Sequence, residues 1–431
     1  PRAPKIRETL PPFLKTDKSK LIIGPNLSQK YALFTESIFF QEGYNFELLP
    51  EGDRESVETG LKYVNNDICY PATILIGDII KALQSGKYDL KNVVVAMSET
   101  GGQCRASNYV PLIKKAMLNA GFDNIPVISV STNPDTINHQ PGFRKKFFEL
   151  LSLSLNTLIF ADALLKMYNF LAVREKNKGE AKRIYDKYIQ TAYKNRGNYV
   201  IKHSIELLHQ AVEEFNRVEY RDIILPRAGI VGEIFMKYNP FGNFDLENWL
   251  RENGVEVITS PLNTFFLESL VDVRFNKTHH VERASTVELA FHSIIEKRLG
   301  WYIEKVNAAL KNFHHPLMRI HKIQEIKAHA EKVVSLIHQY GEGWLLPGDI
   351  VMFAEEGVKN ILSVQPFGCI ACHIVSKGVS KRVKELYPDT NILFLDMDAD
   401  TSEANMHNRL EFFVKNAGKE VMVKAAGSGS G

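Results

Sequence analysis

Cysteine is scarce in this chain of 431 residues, which contains only four. A disulfide framework would need more cysteines, so the count predicts a protein of a reducing compartment, the cytoplasm. The chain also lacks a large excess of one charge, since its formal net charge is +3. A net charge of this size is too small to indicate a nucleic-acid or membrane partner. An apolar run of about 18 residues, which a membrane-spanning helix requires, is missing as well.

Nucleotide-binding signatures are also missing. No Gly-rich loop in the sequence matches a P-loop or a dinucleotide-binding fingerprint, so we expect this chain not to bind ATP itself. The sequence begins at Pro1-Arg2 and ends, at 425–431, in two alanines followed by alternating Gly and Ser. We interpret it as a piece of a longer protein that ends in a linker-like or tag-like tail.

Strand-like runs alternate with amphipathic helices in both halves of the chain. This alternation is typical of parallel α/β sheets. An almost wholly helical stretch at about 143–220 separates the two halves. The predicted strands are 20–24, 46–49, 93–97 and 127–130 in the first half, and 223–225 or 229–231, 255–258, 361–364 and 392–395 in the second.

The two halves repeat the same order of segments, which predicts two similar lobes. The predicted fold class is α/β, with two Rossmann-like parallel-sheet lobes and helical insertions. We expect a first lobe at 1–142, a helical layer at 143–220, and a second lobe at 221–424 that contains a helical insertion at about 285–340. The tail is 425–431.

The cysteines lie where such a fold gathers its ligands. Cys69, Cys104 and the Cys369–Cys372 pair each follow a loop and are expected at helix starts, near the carboxyl ends of strands. The N–H groups and the positive dipole of a helix start stabilise thiolates. Glycines beside the thiols let backbone amides approach sulfur; these are Gly101, Gly102 and Gly368.

Four thiolates can close one tetrahedral site, either a zinc ion or an iron–sulfur cube. Other interpretations are a redox dithiol at Cys369–Cys372 alone, or four unrelated cysteines. An iron–sulfur cluster held between the lobes gives all four a role. The predicted cofactor is therefore a [4Fe–4S] cluster on Cys69, Cys104, Cys369 and Cys372, with zinc as the alternative.

Seven short motifs in this order suggest a family. They are 66–72 (NDICYPA), 102–105 (GQCR) followed by Tyr109, 229–234 (GIVGEI), 341–343 (GEG), 366–369 (PFGC), 394–398 (FLDMD) and 408–411 (NRLE). Together they resemble the 2-hydroxyacyl-CoA dehydratase and benzoyl-CoA reductase superfamily, from about Lys20 to Lys415. The branch most similar to this chain is the one at the C-terminal end of long acyl-CoA dehydratase activase-related proteins.

The resemblance implies a cubane cluster between two Rossmann-like lobes. It also implies low-potential electrons from an ATP-hydrolysing iron–sulfur activator domain, which the long relatives carry fused upstream. Relatives are often dimeric, so a homodimer is expected too. In the dehydratases three cysteines hold each cube and leave one iron open to substrate, whereas another branch holds a double cubane on six cysteines.

This chain has one cysteine too many for an open cube and two too few for a double cubane. We therefore expect a fully ligated cluster in an electron-transfer or reductase module that is fed by the activator. Two alternatives remain open at this point. One is a dehydratase-like lyase with an open-site cluster, and the other is a non-catalytic scaffold stapled by zinc.

Several polar residues near strand ends are further candidates. Glu233 and Glu342 are candidate acid–base groups, although each could instead hydrogen-bond the backbone. His373 directly follows Cys372 and could hydrogen-bond to the sulfur atoms of the cluster or tune its potential, or could simply lie on the helix surface. An acidic run after the last predicted strand could bind magnesium or phosphate, or cap a turn; its members are Asp396, Asp398 and Asp400.

Overall fold

The computed structural model describes residues 9–65, 67–100, 102–131, 138–143, 147–195 and 201–427. The chain forms two compact units, Pro1–Leu151 and Ser152–Gly431, which we call unit 1 and unit 2. Asn66, Gly101 and the end of the predicted tail, 428–431, lie outside the described residues. The predicted division into 1–142, 143–220 and 221–424 stays a prediction.

Unit 1 is built on a four-stranded parallel sheet with the strand order β2-β1-β3-β4. Its strands are β1 (Leu21–Gly24), β2 (Asn45–Leu48), β3 (Val93–Glu99) and β4 (Val127–Ser131). Its helices are α1 (Ala32–Gln41), α2 (Arg54–Tyr63), α3 (Tyr70–Gln84) and α4 (Tyr109–Asn119).

The central strand β3 shows why the sequence folds in this way. Its first five residues are apolar and buried, as expected for a parallel strand that is covered on both faces. Aromatic rings also pack in this core, and the rings of Phe39 and Phe46 stack with their centroids 4.0 Å apart. The buried cluster comprises Phe13, Ile22, Phe39, Tyr44, Val94, Ala96 and Ile128.

Unit 2 repeats this architecture with the strand order β6-β5-β7-β8, again wholly parallel. Its strands are β5 (Arg227–Gly232), β6 (Glu256–Thr259), β7 (Asn360–Pro366) and β8 (Asn391–Met397). The helices, the first of which begins in unit 1, are α5 (Phe147–Ala172), α6 (Glu180–Lys194), α7 (Ile201–Phe215), α8 (Ile234–Tyr238), α9 (Leu246–Glu252), α10 (Asn263–Thr278), α11 (Thr286–Leu310), α12 (Ile323–Ala330), α13 (Leu345–Glu355), α14 (Ser380–Leu386) and α15 (Glu403–Gly427).

The predicted α/β class with two parallel-sheet lobes is confirmed. Of the two alternatives for the fifth strand, the structure selects 229–231 over 223–225, since β5 is Arg227–Gly232. The helical stretch predicted at 143–220 contains α5, α6 and α7. No helix in the described part of the chain is long and apolar enough to cross a membrane.

Two glycines bring α2 and α3 of unit 1 into backbone contact. A Cβ atom at Gly77 would lie 1.7 Å from the carbonyl oxygen of Ser56, and one at Gly60 would lie 2.0 Å from that of Thr73. Neither position has room for any side chain. The close approach of the two helices therefore depends on the missing Cβ atoms.

Gly77→Ala is expected to lower the free energy of unfolding of unit 1 by about 2–4 kcal/mol, because the helices must separate to admit a methyl group. Gly418→Ala is the matched control, since Gly418 is also helical but has no atom within 4 Å of its Cβ position. The measurement is hydrogen exchange of the α2 and α3 peptides by mass spectrometry. The three tryptophans, Trp249, Trp301 and Trp344, all lie in unit 2, so fluorescence would not report on unit 1. Equal protection in the two variants would contradict the packing argument.

Asp78 is a carboxylate buried in the same helix pair. Its side chain lies in α3 and is almost fully buried. Burial raises the pKa of Asp78 to about 7, and the positive charge of Lys81 offsets only part of this effect. The carboxyl group is therefore protonated in the folded state at mildly acidic pH, where an exposed aspartate is already ionised.

The sign of the pH dependence follows from this raised pKa. Below about pH 4 Asp78 is protonated in both states, and between about pH 4 and pH 7 only the unfolded state loses the proton, so stability falls as pH rises. Asp78→Asn should remove this loss and leave unit 1 about 2–4 kcal/mol more stable than the parent at pH 8, with little difference near pH 4. Hydrogen exchange of α3 at the two pH values, corrected for intrinsic rates, measures the difference. A constant offset between the two proteins would rule out Asp78 as the titrating group.

Candidate functional site

The crevice where the strand order of unit 2 reverses lies at the carboxyl ends of β5 and β7. Chain connections leave these two strands toward opposite sides of the sheet, and ligands of open α/β sheets bind at such a point. Glu233 follows the last residue of β5, and Cys369 follows β7 after a two-residue loop. The sheet topology therefore brings two of the predicted site residues to one crevice.

Gly232 sets the geometry of this crevice. It has φ +142°, and a Cβ atom there would lie 1.9 Å from the carbonyl oxygen of Val364 in β7. Because no side chain intervenes, the N–H of Glu233 donates to that same oxygen at 3.0 Å. The carboxylate of Glu233 is thereby held at the first turn of α8.

Two carboxylates meet at the start of α8. Glu233 accepts a hydrogen bond from the N–H of Met236 at 2.9 Å, and Glu342 accepts one from the N–H of Ile234 at 2.8 Å. Burial, together with the negative charge of Glu342, raises the pKa of Glu233 to about 8. Burial also raises the pKa of Glu342. Both predicted acid–base candidates thus cap a helix, and the pair retains a proton near neutral pH.

The Cys369–Cys372 pair lies at a π-helix, Ile370–Ser376, which contains Cys372. Cys369 is the residue before it and is half-buried, whereas Cys372 is fully buried and packs with Leu346 and Ala371. Burial raises the pKa of the Cys372 thiol, and the neighbouring Cys369 raises it further. The charges of Glu342 and Glu233 act on the same thiol, so all four residues form one electrostatic group in unit 2.

The position of Cys372 corrects one sequence expectation. We expected all four cysteines at helix starts, but Cys372 lies inside the π-helix, where its carbonyl accepts from the N–H of Lys377 at 2.8 Å, five residues later. π-Helices are rare and frequently occur at functional sites. The CxxC spacing in the sequence does not distinguish this π-helical turn from an ordinary α-helical turn.

His373 is anchored by Asp396. Its Nε2 atom lies 2.7 Å from Asp396 Oδ1, and the Lys377 ammonium lies 3.6 Å from the other carboxylate oxygen. Gln365 also donates to this carboxylate. Although partial burial acts to raise it, these hydrogen bonds and the lysine hold the pKa of Asp396 below its usual value. His373 is thus fixed one residue from Cys372.

The acidic run predicted after the last strand has divided roles. Asp396 lies in β8 itself, because the strand extends to Met397 rather than ending at residue 395, and it holds His373 as described above. Asp398 closes a turn, because its carboxylate accepts from the N–H of Ala399 at 2.8 Å and its own N–H donates to Thr401 Oγ1 at 2.7 Å. Asp400 is exposed. This arrangement is that of a turn, one of the two roles expected for the run.

Cys69 and Cys104 occupy adjacent loops of unit 1. Cys69 is the N-cap residue of α3, and its Sγ atom makes a hydrogen bond of 3.1 Å with Tyr109 Oη at the start of α4. Cys104 is the N-cap residue of a short 3-10 helix, and its sulfur accepts from the N–H of Ala106 at 3.4 Å. The Arg105 guanidinium donates to the carbonyl of Asp67 at 3.0 Å and ties the two loops together.

The structure therefore brings the predicted site residues together in two groups. Cys69 and Cys104 belong to unit 1, whereas Glu233, Glu342, Cys369 and Cys372 belong to unit 2. Among the described residues, no group of three or more His, Cys, Asp or Glu side chains is arranged to hold a metal ion. Each unit therefore contains two of the four predicted cysteine ligands.

Lys237 is a functional candidate that sequence reasoning missed. Its ammonium is buried and donates to Ser260 Oγ at 2.8 Å, and burial lowers its pKa although four carboxylates surround it. The fully buried Asp349 is one of these, and burial raises its pKa to about 6. The sequence feature that could have revealed it is a single lysine between Met236 and Tyr238 in a five-residue helix that is otherwise apolar.

Comparisons with known proteins add no family assignment. No family model matches the chain, and no curated protein matches it.

The burial of the four thiols predicts an order of alkylation in the metal-free chain. Cys104 and Cys369 are half-buried, whereas Cys69 and Cys372 are buried. We expect iodoacetamide to label the first two at least about tenfold faster, because a buried thiol ionises and collides with reagent less readily. Peptide mass spectrometry at successive times gives the four rates.

The control for this order is the chain in denaturant, where all four thiols should react at similar rates. Labelling of Cys372 in the folded protein as fast as Cys369 would contradict the arrangement of the π-helix.

Proposed function

We propose that this chain is an electron-transfer or reductase module that holds one [4Fe–4S] cluster through Cys69, Cys104, Cys369 and Cys372. Such a cluster carries one electron at low potential when all its irons are ligated by thiolates. The proposal rests on one observation above all. Each unit is built on a parallel sheet with the same strand order and contains two of the four cysteines, which lie at the start of a helix or inside its first turn.

The donor set fits a cluster in its chemistry. Thiolates are the usual ligands of iron–sulfur clusters, and backbone N–H groups directed at sulfur tune them. Cys104 already accepts such a bond from Ala106, and Cys69 is hydrogen-bonded to Tyr109. The half-buried and buried positions of the thiols would shield a bound group from water.

The carboxylates of unit 2 support a low reduction potential. Glu233 and Glu342 lie close enough to Cys372 to raise its pKa electrostatically. Negative charge and burial both disfavour the addition of an electron to a nearby centre. A donor of low-potential electrons would then be needed, and the ATP-hydrolysing iron–sulfur activator domain implied by the family resemblance is such a donor. We also propose that the protein acts with this partner in a reducing cytoplasm.

An exposed apolar patch supports contact of the cysteine loop with a protein donor. Phe367, Ile370 and Ile374 are all exposed around Cys369. Exposed apolar residues clustered at a polar site mark interaction surfaces. The patch would place the donor next to the thiol pair.

A dehydratase-like lyase is the second candidate, and the carboxylate pair favours it. A carboxyl group that keeps its proton near neutral pH can act as a general acid toward a leaving hydroxyl group. Glu233, whose pKa is raised to about 8, is such a group. In this case Cys372, which is fully buried, is the thiol that we propose would leave the ligand set. A zinc-stapled scaffold is the remaining alternative.

Metal analysis after strictly anaerobic purification tests the proposal. We expect about four iron and four sulfide per chain, with the broad visible absorption of a cubane cluster. Replacement of any one cysteine by serine should lower the iron content. Ser376→Ala, a similar change at a buried site in the same π-helix, is the control and should retain it.

Each other outcome has a definite meaning. Iron-free protein after anaerobic purification and reconstitution would refute the cluster, and stoichiometric zinc would favour the scaffold. Full iron content in Cys372→Ser alone, with loss in the other three variants, would favour the open-site lyase.

A further inference from the structure

A tyrosine hydroxyl in unit 1 lies against one of the four predicted cysteine ligands. Tyr109 Oη and Cys69 Sγ are 3.1 Å apart, although 40 residues separate them in the chain. Both side chains are buried, with 6% and 7% of their surface exposed, respectively. A buried tyrosine hydroxyl usually has a hydrogen-bond partner, and here that partner is a thiol that we propose as a metal ligand.

The backbone fixes this contact from both sides. Cys69 is the N-cap residue of α3, and Tyr109 is the first residue of α4. The two helices pack against each other. The sulfur and the hydroxyl therefore meet where two packed helices begin, and not through mobile side chains on the surface.

Tyr109 belongs to the loop of Cys104, yet it bonds to Cys69. It follows the short 3-10 helix that begins after Cys104. Arg105, in the same short helix, donates to the carbonyl of Asp67 at 3.0 Å. Two hydrogen bonds, one to the main chain and one to sulfur, thus join the two thiol-bearing loops of unit 1. The guanidinium holds the loop of Cys69, and the hydroxyl holds its sulfur atom.

The charge of the sulfur atom determines which partner donates. Between a neutral thiol and a hydroxyl, either atom can be the donor. A thiolate carries no proton, and a cysteine that binds a metal is a thiolate. Tyr109 is therefore the donor whenever Cys69 binds a metal. Because hydrogen bonds to a charged acceptor are roughly twice as strong as neutral ones, the hydroxyl stabilises the metal-binding form of Cys69.

The thiols of unit 2 have different electrostatic surroundings. Burial raises the pKa of the Cys372 thiol, and the negative charges of Glu342 and Glu233 raise it further. Cys69 has a hydroxyl donor instead. Nearby negative charge disfavours the addition of an electron to a cluster, whereas a hydrogen bond donated to a ligand sulfur favours it. The hydroxyl of Tyr109 and the two carboxylates therefore act in opposite senses on the potential of a bound cluster.

We propose that Tyr109 is a positioning residue, which donates a hydrogen bond to the Cys69 thiolate, holds this sulfur in the ligand set and raises the reduction potential of the cluster. The phenol keeps its proton throughout and carries no electron. The effect on the potential rests on the proposed function, whereas the hydrogen bond can be measured without a metal.

A redox titration of the full chain, purified anaerobically, tests the effect on the potential. Tyr109→Phe removes the hydroxyl and keeps the buried ring, so we expect the variant to retain about four iron per chain. Its equilibrium constant for one-electron reduction should fall about tenfold, which corresponds to a potential lower by about 59 mV.

Tyr88→Phe is the matched control in unit 1. Tyr88 is also buried, and its hydroxyl donates to Glu47 Oε1 at 2.9 Å instead of to a thiol. Loss of this hydroxyl should leave the potential unchanged. Full iron content and an unchanged potential in Tyr109→Phe would overturn the role of Tyr109 in setting the potential.

Infrared spectroscopy of the metal-free chain tests the hydrogen bond itself. Below about pH 7 an unperturbed cysteine is a thiol, and its S–H stretching frequency depends on its hydrogen bonding. The band of Cys69 is identified by its loss in Cys69→Ser. We expect this band to move in Tyr109→Phe and to stay in place in Tyr88→Phe. An unmoved band in Tyr109→Phe would overturn the contact.

The two measurements separate this inference from the proposed function. A parent chain that holds no iron would refute the cluster and the effect on its potential, while the infrared band still decides whether Tyr109 bonds to Cys69. Loss of iron from Tyr109→Phe alone, with an unchanged circular dichroism spectrum, would support the role of the hydroxyl in holding Cys69 in the ligand set.

Discussion

The parallel pairing of β5 with β7 is the constraint on which the site of unit 2 depends. At its end, Gly232 lets the backbone of one strand approach that of the other so closely that no side chain fits between them. The next residue is therefore fixed by a main-chain hydrogen bond to Val364, and its carboxylate enters the crevice together with the loop of Cys369. Sheet topology and one missing Cβ atom together determine which polar groups meet.

Burial then determines how these groups behave. Carboxylates removed from water favour the protonated form, and a lysine removed from water favours the neutral form. Unit 2 contains both kinds, with Lys237 among several acidic side chains. The attraction between these opposite charges is offset by the cost of removing them from water. This group of buried charged side chains therefore contributes little net stability. The charges of Glu342 and Glu233 in this group also act on the adjacent Cys372 thiol.

The fold was predictable from the sequence because its signals are local. Each strand is a short apolar run, and the alternation with helices already implies parallel pairing. The position of β5 was uncertain because two neighbouring apolar runs, 223–225 and 229–231, each fitted a short strand. The positions of Cys69 and Cys104 at helix starts agree with the expectation that each cysteine follows a loop.

The contacts that assemble the site were not predictable, because they join residues far apart in the chain. Glu342 caps a helix 108 residues before it, and Cys69 meets Tyr109 across 40 residues. No periodicity or spacing carries that information. The burial of Lys237 is similar, since its environment comes from α5, α13 and the loop after β6 rather than from its own helix.

The π-helix at Ile370–Ser376 has a consequence for how this loop can change. A π-turn contains one more residue than an α-turn, so it behaves as a one-residue insertion in an ordinary helix. Removal of a single residue there would restore α-helical spacing and rotate the chain beyond it by about 100°. Cys372 and the hydrogen bond of His373 with Asp396 would then lose their common orientation. The register of this one turn links the buried thiol to the edge strand β8.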